Sequence, residues 1–152
     1  MHTRSTEATP TDPACSGDTR ARALWRLPDT PVADRLARRL VTGFVANLIH
    51  VGARDRADLH HRSDLIVSAL VANAIHHGQP PIDLAVTWAP SGLRIDVHDR
   101  GDGPSGAPAT GGEAAPDAES GRGLSLVART AAHWGIGHRL PYGTHAWAEV
   151  LA

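Results

Sequence analysis

The pattern of this chain predicts an α+β two-layer sandwich: a mixed, mostly antiparallel sheet with about three helices on one face. Three observations carry that reading. Two helical patterns follow one another directly, residues 29–52 and about 56–77, instead of alternating singly with strands. Two pairs of short alternating segments meet at "PSG" and "YG", as antiparallel hairpins do. A third helical pattern lies between those hairpins, so helices and strands come in runs, which favours one helical layer on one sheet.

The elements follow in order. Residues 1–20 are rich in Thr, Pro, Ser and Ala and poor in large apolar side chains, the composition of a disordered tail. "ARALWRLP" alternates Trp25 and Leu27 against Leu24 and Arg26 and stops at Pro28, which makes it a short strand. Asp29, Thr30 and Pro31 supply helix-start chemistry. Val32, Leu36, Leu40, Phe44 and Leu48 then recur at i+4, with Arg35, Arg38 and Arg39 off the stripe, as in an amphipathic helix ending near Gly52. The second helix, from Arg56 or Leu59 to His77, carries Leu65, Ile66, Val67, Leu70, Val71, Ala74 and Ile75 around much of its circumference and should be the more buried of the two. It stops at Gly78 and "QPP". "PIDLAVTWA" and "GLRIDVHDR" form the first hairpin. Residues 101–123 make a long Gly/Pro/Ala loop, of the kind that is usually functional or disordered. "RGLSLVARTAAHWG" is the third helix, begun after Gly121. "IGHRLPY" and "THAWAEVLA" close the chain as the second hairpin.

Bulk composition narrows the function. The chain has 152 residues, 41% hydrophobic and 20% charged, which suits one ordinary soluble domain. A formal net charge of −1 gives no basic signature for nucleic acid or an acidic membrane surface. All 15 basic residues are arginine, which excludes a P-loop lysine or a Schiff base. Cys15 is the single cysteine, so no intrachain disulfide or cysteine zinc cluster forms, consistent with a cytoplasmic protein. No apolar run reaches the ~18 residues of a membrane span, and the first 20 residues lack the apolar core of a signal peptide.

Four features carry chemistry. Asn73 sits in an otherwise apolar helix, and its amide oxygen suits a hard cation such as Mg²⁺. "DRGDG" follows a strand directly. Asp99 there can accept a hydrogen bond from an exocyclic amine, while Gly101 and Gly103 let the backbone turn and approach a flat base. "GRGLSLV" places Gly121 and Gly123 at a helix start, where free N–H groups and the helix dipole favour phosphate. "YGTHAWAEV" brings Thr144 into the last strand, able to donate or accept near a base. Singly these features are weak; an Asp-x-Gly-x-Gly is more often a plain turn. Their joint order is far more specific.

In that order the chain resembles the histidine-kinase-like ATPase superfamily, the GHKL or Bergerat fold, and within it the small anti-sigma-factor serine kinases of actinobacterial type. "LIVSALVANAIHHG" resembles the family's N-box, "IDVHDRGDGP" its first glycine box, "GRGLSLV" its second, and "GTHAWAEV" its terminal strand. The likeness covers roughly residues 22–152. It implies an ATP-binding domain over 21–152 with a lid at about 104–120. It implies that Asn73 binds Mg²⁺ and that Asp99 reads the adenine amine, directly and through water shared with Thr144. Gly101 and Gly103 would line the base pocket, and Gly121, Arg122, Gly123 and Leu124 would close on the phosphates. The cofactors implied are ATP or ADP with Mg²⁺. The partners implied are a sigma factor or its antagonist protein, with homodimer formation common among such relatives and with neither nucleic acid nor membrane bound directly.

One position departs from the family pattern. The N-box carries a glutamate one turn before its asparagine, the presumed general base, and here that position is Ala69. Residues i and i+4 share a helix face, so a base at 69 would stand beside Asn73. Loss of a general base typically costs about 10²–10⁴-fold. Asp64 lies about 140° round the helix from 69, and Ser68 points away; His77 is better read as a cap of the helix end. The expectation is therefore an ATP-binding regulator with weak kinase activity and no confident catalytic residue. The alternatives are a fully active serine/threonine kinase acting on an antagonist protein, and a protein-sequestering relative independent of nucleotide. A sensor-kinase fragment acting on histidine fits less well, since only a short tail precedes the domain. The ten histidines include His60–His61 and His76–His77, but helical neighbours lie about 100° apart and do not converge on one ion. Trp25, Trp88, Trp134 and Trp147 are expected in the core and on strand faces rather than as a base-stacking platform.

Overall fold

In a computed structural model of the protein, residues 20–48, 51–101, 109–110, 119–139 and 143–151 are described. Residues 1–19, with the expected tail and Cys15, lie outside them, as do Gly103 and most of the expected lid.

The elements run β1 (Ala21–Leu27), α1 (Ala33–Ala46), α2 (Ala53–His77), β2 (Ile82–Ala89), β3 (Gly92–His98), β4 (Ala109–Thr110), α3 (Glu119–Thr130), β5 (His133–Arg139) and β6 (Gly143–Val150). The strands form one sheet in the order β1-β2-β3-β6-β5-β4. Every pairing among them is antiparallel. β2–β3 and β5–β6 are the two expected hairpins, and β6 inserts between β3 and β5.

Strand alternation divides the sheet into two faces. Leu93, Ile95 and Val97 of β3 and Ala146, Ala148 and Val150 of β6 point to the helices and are buried. α2 lies over these two central strands, with α1 over β1 and β2 on one side and α3 by β5 on the other. Ile66, Val67, Leu70 and Val71 of α2 are at most 0% exposed. Burying each such side chain contributes roughly 1.5–3 kcal/mol, so α2 anchors the helical layer, as its all-round apolar pattern implies. Trp88 and Trp134 join this core, while Trp147 lies on the opposite face of the sheet.

Three expectations need correction. The buried stripe of α1 is Ala33, Ala37, Val41 and Val45, one position beyond the larger residues, and Leu40 and Phe44 only flank it. Val32 and Leu36 are exposed. Alanine lets the helix approach its neighbours closely, and the bulkier stripe is turned partly outward. α3 begins at Glu119, two residues before Gly121, and ends at Thr130, so His133, Trp134 and Gly135 belong to β5 rather than to the helix. The short edge strand β4 falls inside a segment read only as loop.

Candidate functional site

The core-facing side of β3 ends in a charge. Asp99 continues the alternation of Leu93, Ile95 and Val97 and is 4% exposed. One rung beyond the end of β3, Asp99 pairs with Thr144 of β6 through two backbone hydrogen bonds. The Asp99 N–H donates to the Thr144 carbonyl at 3.0 Å and the Thr144 N–H donates to the Asp99 carbonyl at 3.1 Å. Thr144 therefore lies beside Asp99 on the same face. Gly143 turns the chain into this rung with φ +95°, and a Cβ there would collide with the Asp99 carbonyl oxygen.

The Asp99 carboxylate is held from two directions. The Gly101 N–H donates to Oδ1 at 2.7 Å, a local turn closed by the side chain. The end of α2 presses on it from above: a Cβ on Gly78 would collide with all three carboxyl atoms. A Cβ on Gly101 would stand 2.7 Å from the Gly78 Cα. The Arg100 N–H donates to the Gln79 carbonyl at 2.8 Å and ties the turn after β3 to the turn after α2. Glycine at 78 is thus required for contact. The sequence pattern marks it only as a helix stop, although it closes the same stretch that contains Asn73.

Asn73 stands on the last turns of that helix, 8% exposed between the buried Val71 and Ala74. Its Oδ1 is buried and, among the described residues, accepts no hydrogen bond. The Thr144 Oγ1, at a residue 3% exposed, is in the same condition. A buried polar group left without a partner costs about 1–3 kcal/mol. One such atom, on Thr144, lies beside the glycine-walled Asp99, and the other, on Asn73, belongs to the helix whose end abuts it.

The second glycine motif approaches from α3. Gly121 and Arg122 fall in its first turn, where N–H groups lack intrahelical acceptors. A Cβ on Gly123 would meet the Ala69 Cβ at 3.7 Å. Position 69 therefore faces α3 just inside the glycine motif. Leu124 packs against the core. So the structure joins Asp99, Gly101 and Thr144 directly, joins them to the helix of Asn73 through Gly78, and sets Gly123 against Ala69.

Asp64 and His77 of α2 differ in their surroundings. Asp64 is engaged from α1 by Arg38, whose Nε and NH2 each donate to a carboxylate oxygen at 3.0 Å. His77 is exposed in the last turn of α2. A groove of about 570 Å³ lies elsewhere, between α1 and α2, lined by Arg35, Arg38, Arg39, Thr42, His60 and Asp64.

This arrangement has a counterpart in known sequences. The pattern of the histidine kinase-like ATPase domain matches residues 27–148, most of the chain. The protein belongs to that family. Histidine kinase-like ATPase domains bind ATP, usually with Mg²⁺. The match spans Asn73, Asp99, Gly101, the α3 glycines and Thr144, so each feature picked out by physical reasoning lies within it. No curated protein matches the chain. No helix among the described residues is long and apolar enough to cross a membrane.

Proposed function

We propose that this histidine kinase-like ATPase domain binds Mg²⁺–ATP or ADP at the Asn73–Asp99–Thr144 site. In this reading it serves as an anti-sigma-type regulator that holds a sigma factor or its antagonist protein, with weak or no kinase activity. The observation that supports the nucleotide reading is the pair of buried oxygens without a hydrogen-bond partner among the described residues, Thr144 Oγ1 beside Asp99 and Asn73 Oδ1 on the helix that ends against Asp99. A nucleotide with an exocyclic amine, a shared water and a hard cation would give these two oxygens partners and bring a further donor to Asp99.

Each residue has a stated part. Asp99, fixed by Gly101 and abutted by Gly78, accepts from the adenine amine. Thr144 completes that contact through shared water. Gly78, Gly101 and Gly103 leave room for the base. Asn73 presents its amide oxygen to Mg²⁺. Gly121, Arg122, Gly123 and Leu124 form the approach to the phosphates, with residues 104–120 as the lid over them. Mg²⁺ held by Asn73 would supply positive charge to offset that of the phosphates.

The weak-kinase reading rests on Ala69. It shares a helix face with Asn73 and has no proton acceptor, and Asp64 is already committed to Arg38. A protein partner is supported by the outer face of α1, where exposed Val32 and Leu36 stand beside exposed Arg35 and Arg39. Transfer of labelled γ-phosphate to an antagonist protein tests the kinase part, wild type against Ala69→Glu. The expected result is little or no transfer by wild type and a gain of about 10²-fold or more in the variant. Efficient transfer by wild type contradicts it.

A further inference from the structure

The face of the sheet turned away from the helices carries a second chemical cluster. By strand alternation Arg94, Asp96 and His98 of β3 lie on it with His145, Trp147 and Glu149 of β6. The β3–β6 register sets His98 directly opposite His145 and Asp96 opposite Trp147. The two imidazoles stack with centroids 4.1 Å apart and planes 5° from parallel. His145 Nε2 lies 2.7 Å from Asp96 Oδ1, so its N–H donates to the carboxylate. One ligand atom from each of Asp96, His98 and His145 can be chosen so that all lie within 4.8 Å of one another.

We propose that Asp96, His98 and His145 form a binding site for a divalent transition-metal ion of the zinc class. The donor set of two imidazole nitrogens and one carboxylate oxygen suits Zn²⁺ and its neighbours rather than Mg²⁺ or Ca²⁺, which favour all-oxygen ligands. Ligand atoms about 2.0–2.2 Å from one tetrahedral ion sit roughly 3.3 Å apart. Side-chain rotation of the exposed His98 supplies most of the needed contraction, since Asp96 and His145 are already in contact. The ion takes the place of the proton between His145 Nε2 and Asp96 Oδ1, and that proton leaves to solvent.

The surroundings orient the ligands as supporting groups do in known metal centres. Arg94 Nε donates to both Asp96 oxygens at 3.1 Å, and its NH1 donates to Glu149 Oε1 at 3.3 Å. The Arg94 guanidinium also lies 4.4 Å over the Trp147 ring. The carboxylate is thereby fixed in plane and position before any ion arrives. His98 opens to solvent, which leaves a coordination position for water or a group from a partner. The site stands back to back with the proposed nucleotide site, because His98 and His145 are the chain neighbours of Asp99 and Thr144 on the opposite face.

The test uses the full chain, stripped with EDTA, exchanged into chelator-free buffer and titrated with ZnCl₂ in competition with a chromogenic chelator. One Zn²⁺ per chain at micromolar or tighter affinity is expected. Affinity should fall about tenfold or more in His98→Ala and in the near-isosteric Asp96→Asn. It should be unchanged in a double variant, His76→Ala with His77→Ala, which removes the exposed pair at the end of α2. Absence of binding at micromolar Zn²⁺ overturns the site. So does binding that His98→Ala and Asp96→Asn leave intact, or binding lost in the double variant.

Discussion

The two faces of the central strands β3 and β6 treat polar groups in opposite ways. On the face away from the helices, Arg94, Asp96, His145 and Glu149 engage one another through hydrogen bonds of 2.7 to 3.3 Å. On the helix face, the same strands are apolar until their ends, where Thr144 beside Asp99, like Asn73 on α2, keeps a buried oxygen without a hydrogen-bond partner among the described residues. Orphaned oxygens in a packed interior reduce stability, whereas a mutually bonded network does not. The difference separates a place that holds itself together from a place built to be completed by something else.

Breaking the self-satisfied network should produce the largest effect. Asp96→Ala leaves Arg94, with a side chain 6% exposed, short of its nearest counter-charge. Removing one partner of a buried pair costs about 3–5 kcal/mol, and the remaining Glu149 contact puts this variant at the lower end. Chemical denaturation reads the change directly. Next comes Gly78→Ala, which drives a methyl into the Asp99 carboxyl. It should cost about 1–3 kcal/mol of stability and weaken nucleotide binding together with it.

Asn73→Ala sharpens the comparison because its two effects have opposite sign. Removing a buried amide oxygen that lacks a partner among the described residues should leave stability unchanged or raise it by about 1 kcal/mol, while Mg²⁺-dependent ATP affinity falls. A clear loss of stability in denaturant titrations would instead make Asn73 a structural residue.

The smallest effect is a dependence on pH. Burial pushes the Asp96 carboxyl up, but the hydrogen bonds and charges of His145 and Arg94 outweigh it and hold the group below the usual carboxylate range. A depressed carboxylate stabilises the fold above its unfolded-state pKa and loses that contribution as pH falls through its folded-state value. Melting temperature should therefore decline on the acid side of the ordinary aspartate range, less steeply in Asp96→Asn, while near neutrality the stabilisation is fully present and does not change with pH.

Much of this fold was legible in the sequence because its signals are local. Both hairpins follow from alternation and Gly-containing turns, and α2 follows from an apolar pattern too broad for a surface helix. Asn73, Asp99 and the glycine motifs stood out because each breaks an apolar run or marks a strand or helix end. What escaped depends on contacts between distant segments. The buried stripe of α1 was misplaced by one residue because larger side chains outweigh alanine in a hydropathy pattern, while close helix packing prefers alanine. Gly78 reads as a terminator until Asp99 is brought beneath it. His145 and Asp96 stand 49 residues apart in the chain, and only the β3–β6 register makes them neighbours. The adjacent histidine pairs on α2 drew attention, while the pair that does meet comes from two strands.

The central claim is that the Asn73–Asp99–Thr144 end of the helix face is a nucleotide site. Isothermal titration of the full chain with Mg²⁺–ATP, wild type beside Asp99→Asn, addresses it most directly. Saturable binding by wild type, weakened about tenfold or more by a change that turns an acceptor oxygen into a donor amide, is the predicted result. Absence of binding by wild type, or equal affinity in both proteins, would contradict it.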